Sequence, residues 1–322
     1  MKTKHVAVAT LAGLIAMTGC DRSPPAASTA PAPTPAAAPA AAPVPADYAA
    51  GEDAWRREQD AALRDPKDSW LTVVGLHWVT PQTRSVGSAE GQDLRLALGP
   101  ARLGIVNLDG TQLHFTPAPA ADVTVDGKPV VGRIALQDDK SGAPTRLSYD
   151  GGKGTLWVIE RSGRYGLRER HQDAPALKAV VPQAYWPVDP SWRVEATFEP
   201  HPAGTTIEIV NVIGDRNQVP NPGALVFTRD GKTFRMEVTG EKLSELSGVF
   251  ADRTNGRESY GAGRFIEPQG PDAQGRYVLD FNRAYNPPCA FTAFATCPLP
   301  PPSNRLDLAV TAGEKKYPGG AH

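Results

Sequence analysis

Apolar and polar residues alternate in short runs along much of the chain, and turn-forming dipeptides separate the runs. Antiparallel strands are often joined by two-residue turns of aspartate and glycine, which accept the positive φ angles that such turns require. Four of these dipeptides have apolar residues on both sides: Asp109-Gly110, Asp126-Gly127, Asp150-Gly151 and Asp230-Gly231. The pattern predicts a mainly β fold, an antiparallel sandwich or roll-like domain.

The strands are preceded by one helical pattern. Residues 48–64 place Trp55 and several alanines among charged residues, and Asp65-Pro66 ends the pattern because proline cannot continue a helix. Residues 70–79 are rich in β-branched and aromatic residues, which predicts a buried strand. Strands and long helices do not alternate afterwards, which argues against a doubly wound α/β fold.

Proline recurs between residues 174 and 190, which changes the local composition. This stretch is either a boundary between two β subdomains or a crossover loop within one sandwich. We predict the second arrangement, a single β-rich domain over residues 47–318. A proline-rich C-terminal segment, residues 280–315, is expected to lie against its sheet and to be stiffened by its prolines.

The first 19 residues have the architecture of a signal peptide. Lys2 and Lys4 precede an apolar run over residues 6–17 that is too short for a permanent membrane span. The run ends in Met17-Thr18-Gly19-Cys20, which resembles the lipobox of bacterial lipoproteins, although methionine is an unusual first residue. A plain secretory signal is the alternative. The resemblance implies acylation of Cys20, for example with palmitate, and a membrane-anchored protein facing the periplasm, with Asp21 slightly favouring the inner membrane.

Residues 20–46 are almost entirely alanine, proline, serine and threonine. Such a composition has nothing to build a core and predicts a disordered tether between the lipid and the folded domain.

The charge balance argues against nucleic acid as a partner. The formal net charge is −1 with 34 basic and 35 acidic residues, and loss of Lys2 and Lys4 with the signal peptide makes it −3. Nucleic-acid binding normally needs a basic surface.

Acylation of Cys20 would leave two of the three cysteines, Cys289 and Cys297. An oxidising compartment favours a disulfide between them. A metal pair is the alternative, but no histidine lies near them in the sequence and zinc sites use tighter spacing.

Familiar catalytic motifs are missing from the sequence: it has neither Gly-x-Ser-x-Gly nor His-Glu-x-x-His, and no complete phosphate-binding loop. Arginine, tyrosine and asparagine close to a rigid backbone suit the binding of an anion or a sugar. Each of these residues can equally serve local structure, in turns and ion pairs. The candidate ligand-binding residues are Arg264, Asp280, Asn282, Arg283, Tyr285, Asn286 and Arg305.

The block from Asp280 to Phe291, DFNRAYNPPCAF, resembles the uncharacterised family called domain of unknown function 1684. The stretches CPLPPP at 297–302, NRL at 304–306 and AGEK at 312–315 continue the resemblance. Upstream stretches agree with this resemblance at Trp70-Leu71, Gly166-Leu167-Arg168 and Gly263-Arg264-Phe265. The resemblance runs from about residue 50 to 316. The resemblance implies no established activity, cofactor or catalytic residue. The similar family members also include cytoplasmic proteins with the same two cysteines. This implies that Cys289 and Cys297 can also have a role as thiols.

Three functions follow as hypotheses. The first is a lipid-anchored envelope protein that binds a small polar or anionic ligand. The second is a hydrolase with Asp280 or Glu258 as its base, with or without a divalent metal. The third is a structural envelope lipoprotein without a ligand.

Overall fold

The structure, a computed structural model, describes residues 44–320. The predicted signal peptide, Cys20, Asp21 and most of the predicted tether lie outside these residues. The two α-helices of residues 44–320 are α1 Ala46–Arg64 and α2 Pro175–Lys178. The strands of the described part are, in chain order, β1 Val73–Trp78, β2 Ser85–Gly87, β3 Leu94–Arg95, β4 Gly104–Asp109, β5 Gln112–Pro117, β6 Thr124–Val125, β7 Lys128–Pro129, β8 Ile134–Leu136, β9 Leu147–Tyr149, β10 Gly154–Arg161, β11 Arg164–His171, β12 Arg193–Pro200, β13 Thr206–Val210, β14 Arg216–Pro220, β15 Gly223–Arg229, β16 Lys232–Val238, β17 Gly248–Phe250, β18 Arg264–Ile266 and β19 Arg276–Asp280.

Helix α1 confirms the prediction for residues 48–64 and begins two residues earlier. Asp65 has an extended backbone, φ −64° and ψ 122°, because the proline that follows disfavours the helical conformation. The predicted strand at 70–79 starts later than expected, at Val73. Its first residues, Trp70–Thr72, form a 3₁₀ turn because the Ser69 side chain accepts a hydrogen bond from the Leu71 backbone nitrogen.

All four Asp-Gly dipeptides lie where antiparallel strands turn, as predicted. At Asp230-Gly231, between β15 and β16, the φ angles are 51° and 73°, which matches the twist of a two-residue hairpin. Ser162-Gly163 makes an equivalent turn between β10 and β11, with φ angles of 52° and 79°. This turn was not predicted, because serine is a weaker turn signal at that position than aspartate or asparagine.

The first half of the domain is a sandwich. One sheet has the strand order β1-β11-β10-β9-β6-β7 and the other has the order β3-β2-β4-β5-β8, and all neighbours are antiparallel except β2 and β3. Both sheets bury apolar side chains in one shared cluster, which includes Val106 and Phe115 from one sheet and Leu156 and Leu167 from the other.

The second half has its own buried cluster. A four-stranded sheet, β16-β15-β12-β19, supplies Phe227, Met236 and Leu279 to it. The C-terminal segment supplies Phe281 and Val310, so this segment lies against the sheet as predicted. The mainly β fold with an N-terminal helix and a proline-rich C-terminal segment is therefore confirmed. The proline-rich stretch at 174–190 lies in sequence between the strands of the two clusters.

Candidate binding pocket

A pocket of about 410 Å³ lies between helix α1 and the C-terminal segment. This volume is within the range of small-molecule sites. Three stretches of chain form most of its wall: α1, the loop after it, and residues 285–291. The residues that line the pocket are Gln59, Ala62, Leu63, Asp68, Ser69, Trp70, Gln183, Phe265, Tyr285, Asn286, Pro288, Phe291 and Glu314.

Backbone pairing fixes the floor of the pocket. Phe265 and Tyr285 exchange two backbone hydrogen bonds, of 2.9 and 3.0 Å, and their rings meet edge to face with centroids 5.7 Å apart. The Glu314 backbone nitrogen donates to the Ala284 carbonyl at 2.8 Å. Residues 285 and 314 therefore lie side by side although 28 residues separate them in the chain.

Glu314 is the buried acid of this pocket, with 4% of its surface exposed. Its Oε2 accepts a hydrogen bond of 2.7 Å from the Asn286 backbone nitrogen, while Oε1 accepts a longer one of 3.4 Å from the Tyr185 hydroxyl. The pKa of Glu314 is raised to about 7, mainly by burial, although the bonds from Asn286 and Tyr185 and the charge of Arg264 act in the opposite direction. The carboxyl therefore titrates well above the usual range of a glutamate.

Asn286 and Gln183 are the two buried amides of the pocket. Both use their amino groups: Asn286 Nδ2 donates to the Lys315 carbonyl at 2.8 Å, and Gln183 Nε2 donates to the Lys315 and Ala184 carbonyls at 2.7 and 2.8 Å. Their carbonyl oxygens, Asn286 Oδ1 and Gln183 Oε1, are buried and accept no hydrogen bond. A buried acceptor without a donor costs about 1–3 kcal/mol of stability. Such unpaired groups are unusual in native structures.

Hydrogen-bond acceptors thus dominate the polar part of the wall, while the apolar part is aromatic and aliphatic. The hydroxyls of Ser69 and Tyr285 already donate, to the Leu63 carbonyl at 2.6 Å and to Glu267 at 3.0 Å. Trp70, Phe265 and Phe291 supply flat apolar surfaces. Such a wall suits a ligand that has an apolar body and hydrogen-bond donors.

Three predicted site residues, Asp280, Asn282 and Arg283, hold helix α1 instead of lining this pocket. The Tyr48 hydroxyl lies 2.9 and 2.8 Å from the two Asp280 carboxylate oxygens and accepts a hydrogen bond of 3.0 Å from Asn282 Nδ2. Arg283 Nε donates to Glu52 Oε1 at 2.8 Å, and Glu52 is completely buried. Asp280 and Arg283 also border a separate surface depression with Tyr48.

Arg264 is completely buried and stabilises the C-terminal segment. Its Nη1 donates to the carbonyls of Ala312 and Glu314 at 2.5 and 3.2 Å. Its Nη2 donates to the Val310 carbonyl at 2.9 Å and to Asp252 at 2.8 Å. Arg305 and Glu258 are both exposed. Of the seven predicted ligand-binding residues, Tyr285 and Asn286 are the ones that line the pocket.

Cys289 and Cys297 form the predicted disulfide. Cys289 lies in the 3₁₀ turn Pro288–Ala290, between Pro288 and Phe291 of the pocket wall. The bridge therefore closes the loop 289–297, which contributes Phe291 to the pocket wall.

Glu314, Gln183 and Trp70 were not predicted from the sequence as members of one site. Glu314 lies in AGEK, the last stretch of the family resemblance, and this was the one available signal. Gln183 is 131 residues away from Glu314, and no local pattern connects the two.

Within residues 44–320, one group of side chains has the spacing of a metal site: Asp150, His171 and Asp173. Both carboxylate oxygens of Asp173 already pair with lysines, Lys153 at 3.1 Å and Lys178 at 3.0 Å. Neither Asp280 nor Glu258 belongs to this group. In the same described residues, no helix is long and apolar enough to cross a membrane.

Comparison with known proteins finds a family match in the C-terminal half of the chain. Residues 182–315 match the family described as a protein of unknown function (DUF1684). An uncharacterized protein of Haloarcula marismortui, solved by solution NMR, is 34% identical; the match covers 43% of this chain and 78% of that chain, with a TM-score of 0.36. No curated protein matches the sequence. The family segment contains Gln183, Tyr285, Asn286 and Glu314, whereas α1 and Trp70 precede it.

Proposed function

We propose that the protein binds a small molecule with an apolar, ring-sized body and at least one hydrogen-bond donor, in the pocket beneath α1. The observation that carries this proposal is that three residues of one pocket wall have poorly satisfied side-chain oxygens: Glu314 Oε1, Asn286 Oδ1 and Gln183 Oε1. A ligand donor that reached these oxygens would relieve the cost of their burial, and the aromatic wall would bury its apolar body.

An anionic ligand fits this pocket poorly. Glu314 and Asp68 would repel it, and the arginines that sequence reasoning selected have other partners. Arg264 binds Asp252 and three carbonyls, and Arg283 binds Glu52. A neutral or cationic donor, such as an alcohol, a phenol or an amine, matches the charge of the wall.

Binding is favoured over hydrolysis because the pocket lacks a free nucleophile among its described side chains. The Ser69 hydroxyl is occupied twice: it donates to the Leu63 carbonyl and accepts from the Leu71 nitrogen at 3.1 Å. Asp280 accepts from Tyr48 and serves the attachment of α1, so it is poorly placed as a general base.

Four benzyl compounds of similar size test the proposal. Benzylamine and benzyl alcohol carry donors, benzyl methyl ether carries none, and benzoate is an anion. We expect ligand-observed NMR at pH 8 to give saturable binding of the first two, at least about tenfold tighter than that of the ether or benzoate. Tighter binding of benzoate than of benzylamine would contradict the proposal.

We also propose that the domain works in the cell envelope, attached through a lipid on Cys20. The disulfide between Cys289 and Cys297 supports an oxidising compartment. In the native bacterium, the full-length protein should fractionate with membranes and incorporate labelled palmitate, and Cys20→Ala should abolish both. A membrane-bound Cys20→Ala protein without label would contradict the anchor and leave the pocket proposal unaffected.

A further inference from the structure

A second cluster of unsatisfied charge lies on the outer face of the six-stranded sheet, away from the sandwich core. Arg168 and Arg170 are two residues apart on β11, so both point to the same side of the sheet. Their partners on β10 are Trp157 and Thr155. Trp70 covers both arginines: its ring centroid is 5.6 Å from the Arg168 guanidinium carbon and 5.5 Å from that of Arg170.

This arginine–tryptophan cluster is short of negative charge. Arg168 is 5% exposed, forms no ion pair with any carboxylate in the described part of the chain, and has unpaired Nε and Nη2 atoms. Arg170 pairs with Asp68 at 3.1 Å, but the Asp68 side chain is 83% exposed and water weakens that pair. Arg146, the third member, lies over the Trp157 ring at 5.1 Å.

Burial and mutual repulsion both disfavour the charged forms of Arg168 and Arg170. The pKa of Arg168 is lowered to about 10, mainly by burial; repulsion from Arg161 and Arg170 contributes, and attraction to Asp139 opposes them. Burial also lowers the pKa of Arg170, and Arg146 adds repulsion that Asp68 opposes. A buried guanidinium group normally has an anion or several carbonyl groups around it, as Arg264 does.

A depression of about 320 Å³, here called the basic pocket, opens at the edge of this cluster. Its wall includes the cationic side chains of Lys67, Arg146, Lys153 and Arg170, together with Thr155 and His171. Lys153 already pairs with Asp173 and His171 with Asp150. Lys67 and Arg146 have no carboxylate within ion-pair distance among residues 44–320, so two cations face the depression uncompensated.

We infer that the basic pocket binds a phosphate group, either as the free ion or on a small organic molecule. Arg170 and Arg146 would offer guanidinium donors, which suit tetrahedral oxyanions, and Lys67 would add a point charge. The two tryptophans keep the arginines in place by stacking against them. This site is separate from the donor-binding pocket, although Asp68 borders both.

The test is isothermal calorimetry on the whole folded domain at pH 7, with inorganic phosphate and with glycerol 3-phosphate, in potassium chloride adjusted to equal ionic strength. We expect saturable one-to-one binding of at least one of them. Glycerol 3-phosphate binding more tightly than phosphate would indicate an organic phosphate as the natural ligand, and the reverse order would indicate the free ion; both support the site.

Two variants locate the binding. Lys67→Gln with Arg146→Gln removes the uncompensated charges and should weaken binding at least about tenfold. Asp68→Asn removes the competing carboxylate of Arg170 and should tighten it several-fold. The matched control, Arg102→Gln with Lys232→Gln, changes the same residue types at exposed positions in other strands and turns, and it should leave the affinity unchanged.

The inference is overturned if neither phosphate compound binds more tightly than chloride screening explains. It is also overturned if the pocket variant and the control variant bind equally, since the wild-type signal would then reflect an adventitious ion only. Because Lys67 and Arg146 are exposed, both variants are expected to fold, and circular dichroism checks this.

Discussion

Arg264 and Glu314 are both buried charged residues of the C-terminal half, and they are neighbours, since Arg264 Nη1 donates to the Glu314 carbonyl at 3.2 Å. Their side chains differ sharply in how well they are satisfied. Arg264 binds Asp252 and the carbonyls of Val310, Ala312 and Glu314. The Glu314 carboxylate accepts one short hydrogen bond and one long one, and it faces a pocket.

Arg264 and Glu314 show the difference between a charged group that stabilises the fold and one that can bind a ligand. A buried charge with several short hydrogen bonds has no capacity left for a ligand and stabilises the chain around it. A buried carboxyl with few partners has a raised pKa and a lone pair without a hydrogen bond. A ligand can donate a hydrogen bond to this lone pair. The two roles predict opposite responses to mutation.

Arg264→Met should have the largest effect on stability. It leaves Asp252 buried without its partner and frees three carbonyls, so the free energy of unfolding should fall by about 3–5 kcal/mol. Urea unfolding measures the change. The control Arg305→Met, at an exposed position of the C-terminal segment, should change stability by less than about 0.5 kcal/mol. Equal, small losses in both variants would show that Arg264 is not the structural charge described above.

Glu314 should give the protein a stability that falls with rising pH. Its native pKa of about 7 lies above the ordinary value of 4.5, so the native state holds a proton that the unfolded chain releases. This contribution is complete below pH 4.5, is lost as the pH rises through 7, and amounts to about 3 kcal/mol.

Glu314→Gln should remove this pH dependence, because glutamine mimics the protonated acid. Urea unfolding at pH 5 and pH 8 should therefore give a smaller difference for Glu314→Gln than for the wild type. Glu258→Gln changes an exposed carboxylate and should keep the wild-type difference. If Glu314→Gln and the wild type lose the same stability between the two pH values, Glu314 is not the titrating group.

Tyr48→Phe should lower the free energy of unfolding moderately, because it weakens the attachment of α1. The hydroxyl is a donor to Asp280 and an acceptor for Asn282, so its loss should cost about 1–2 kcal/mol. Tyr285→Phe removes a hydroxyl that binds exposed Glu267 and should cost less than about 0.5 kcal/mol. A larger loss in Tyr285→Phe, measured by urea unfolding, would reverse the roles assigned to the two tyrosines.

Local sequence patterns were enough for much of the fold. The Asp-Gly turns, the α1 helix and its end at Asp65-Pro66 depend on the conformations of a few adjacent residues, and these predictions are confirmed. The start of β1 was predicted too early because the Ser69 side chain accepts a hydrogen bond from the Leu71 backbone nitrogen, and residues 70–72 form a 3₁₀ turn.

The candidate site was harder to predict because it depends on contacts between distant segments. Residue type suggested Arg264 as an anion anchor, but its complete burial and its partners decide its role, and neither can be read from the sequence. Asn286 and Gln183 both donate their side-chain amino groups to the Lys315 carbonyl, while their side-chain oxygens accept no hydrogen bond. Tyr285 and Asn286 could be selected because they lie in the proline-stiffened block.

The most direct test of the account changes the volume of the pocket beneath α1 without changing its polar groups. Ala62 lines the pocket and Ala61 does not, and both are exposed on α1, so a phenylalanine at either position should leave the free energy of unfolding unchanged within about 0.5 kcal/mol. The measurement is a benzylamine titration at pH 8 followed by NMR. We predict that Ala61→Phe binds like the wild type and that Ala62→Phe binds at least about tenfold more weakly. Equal affinities in the two variants would contradict the assignment of this pocket as the binding site.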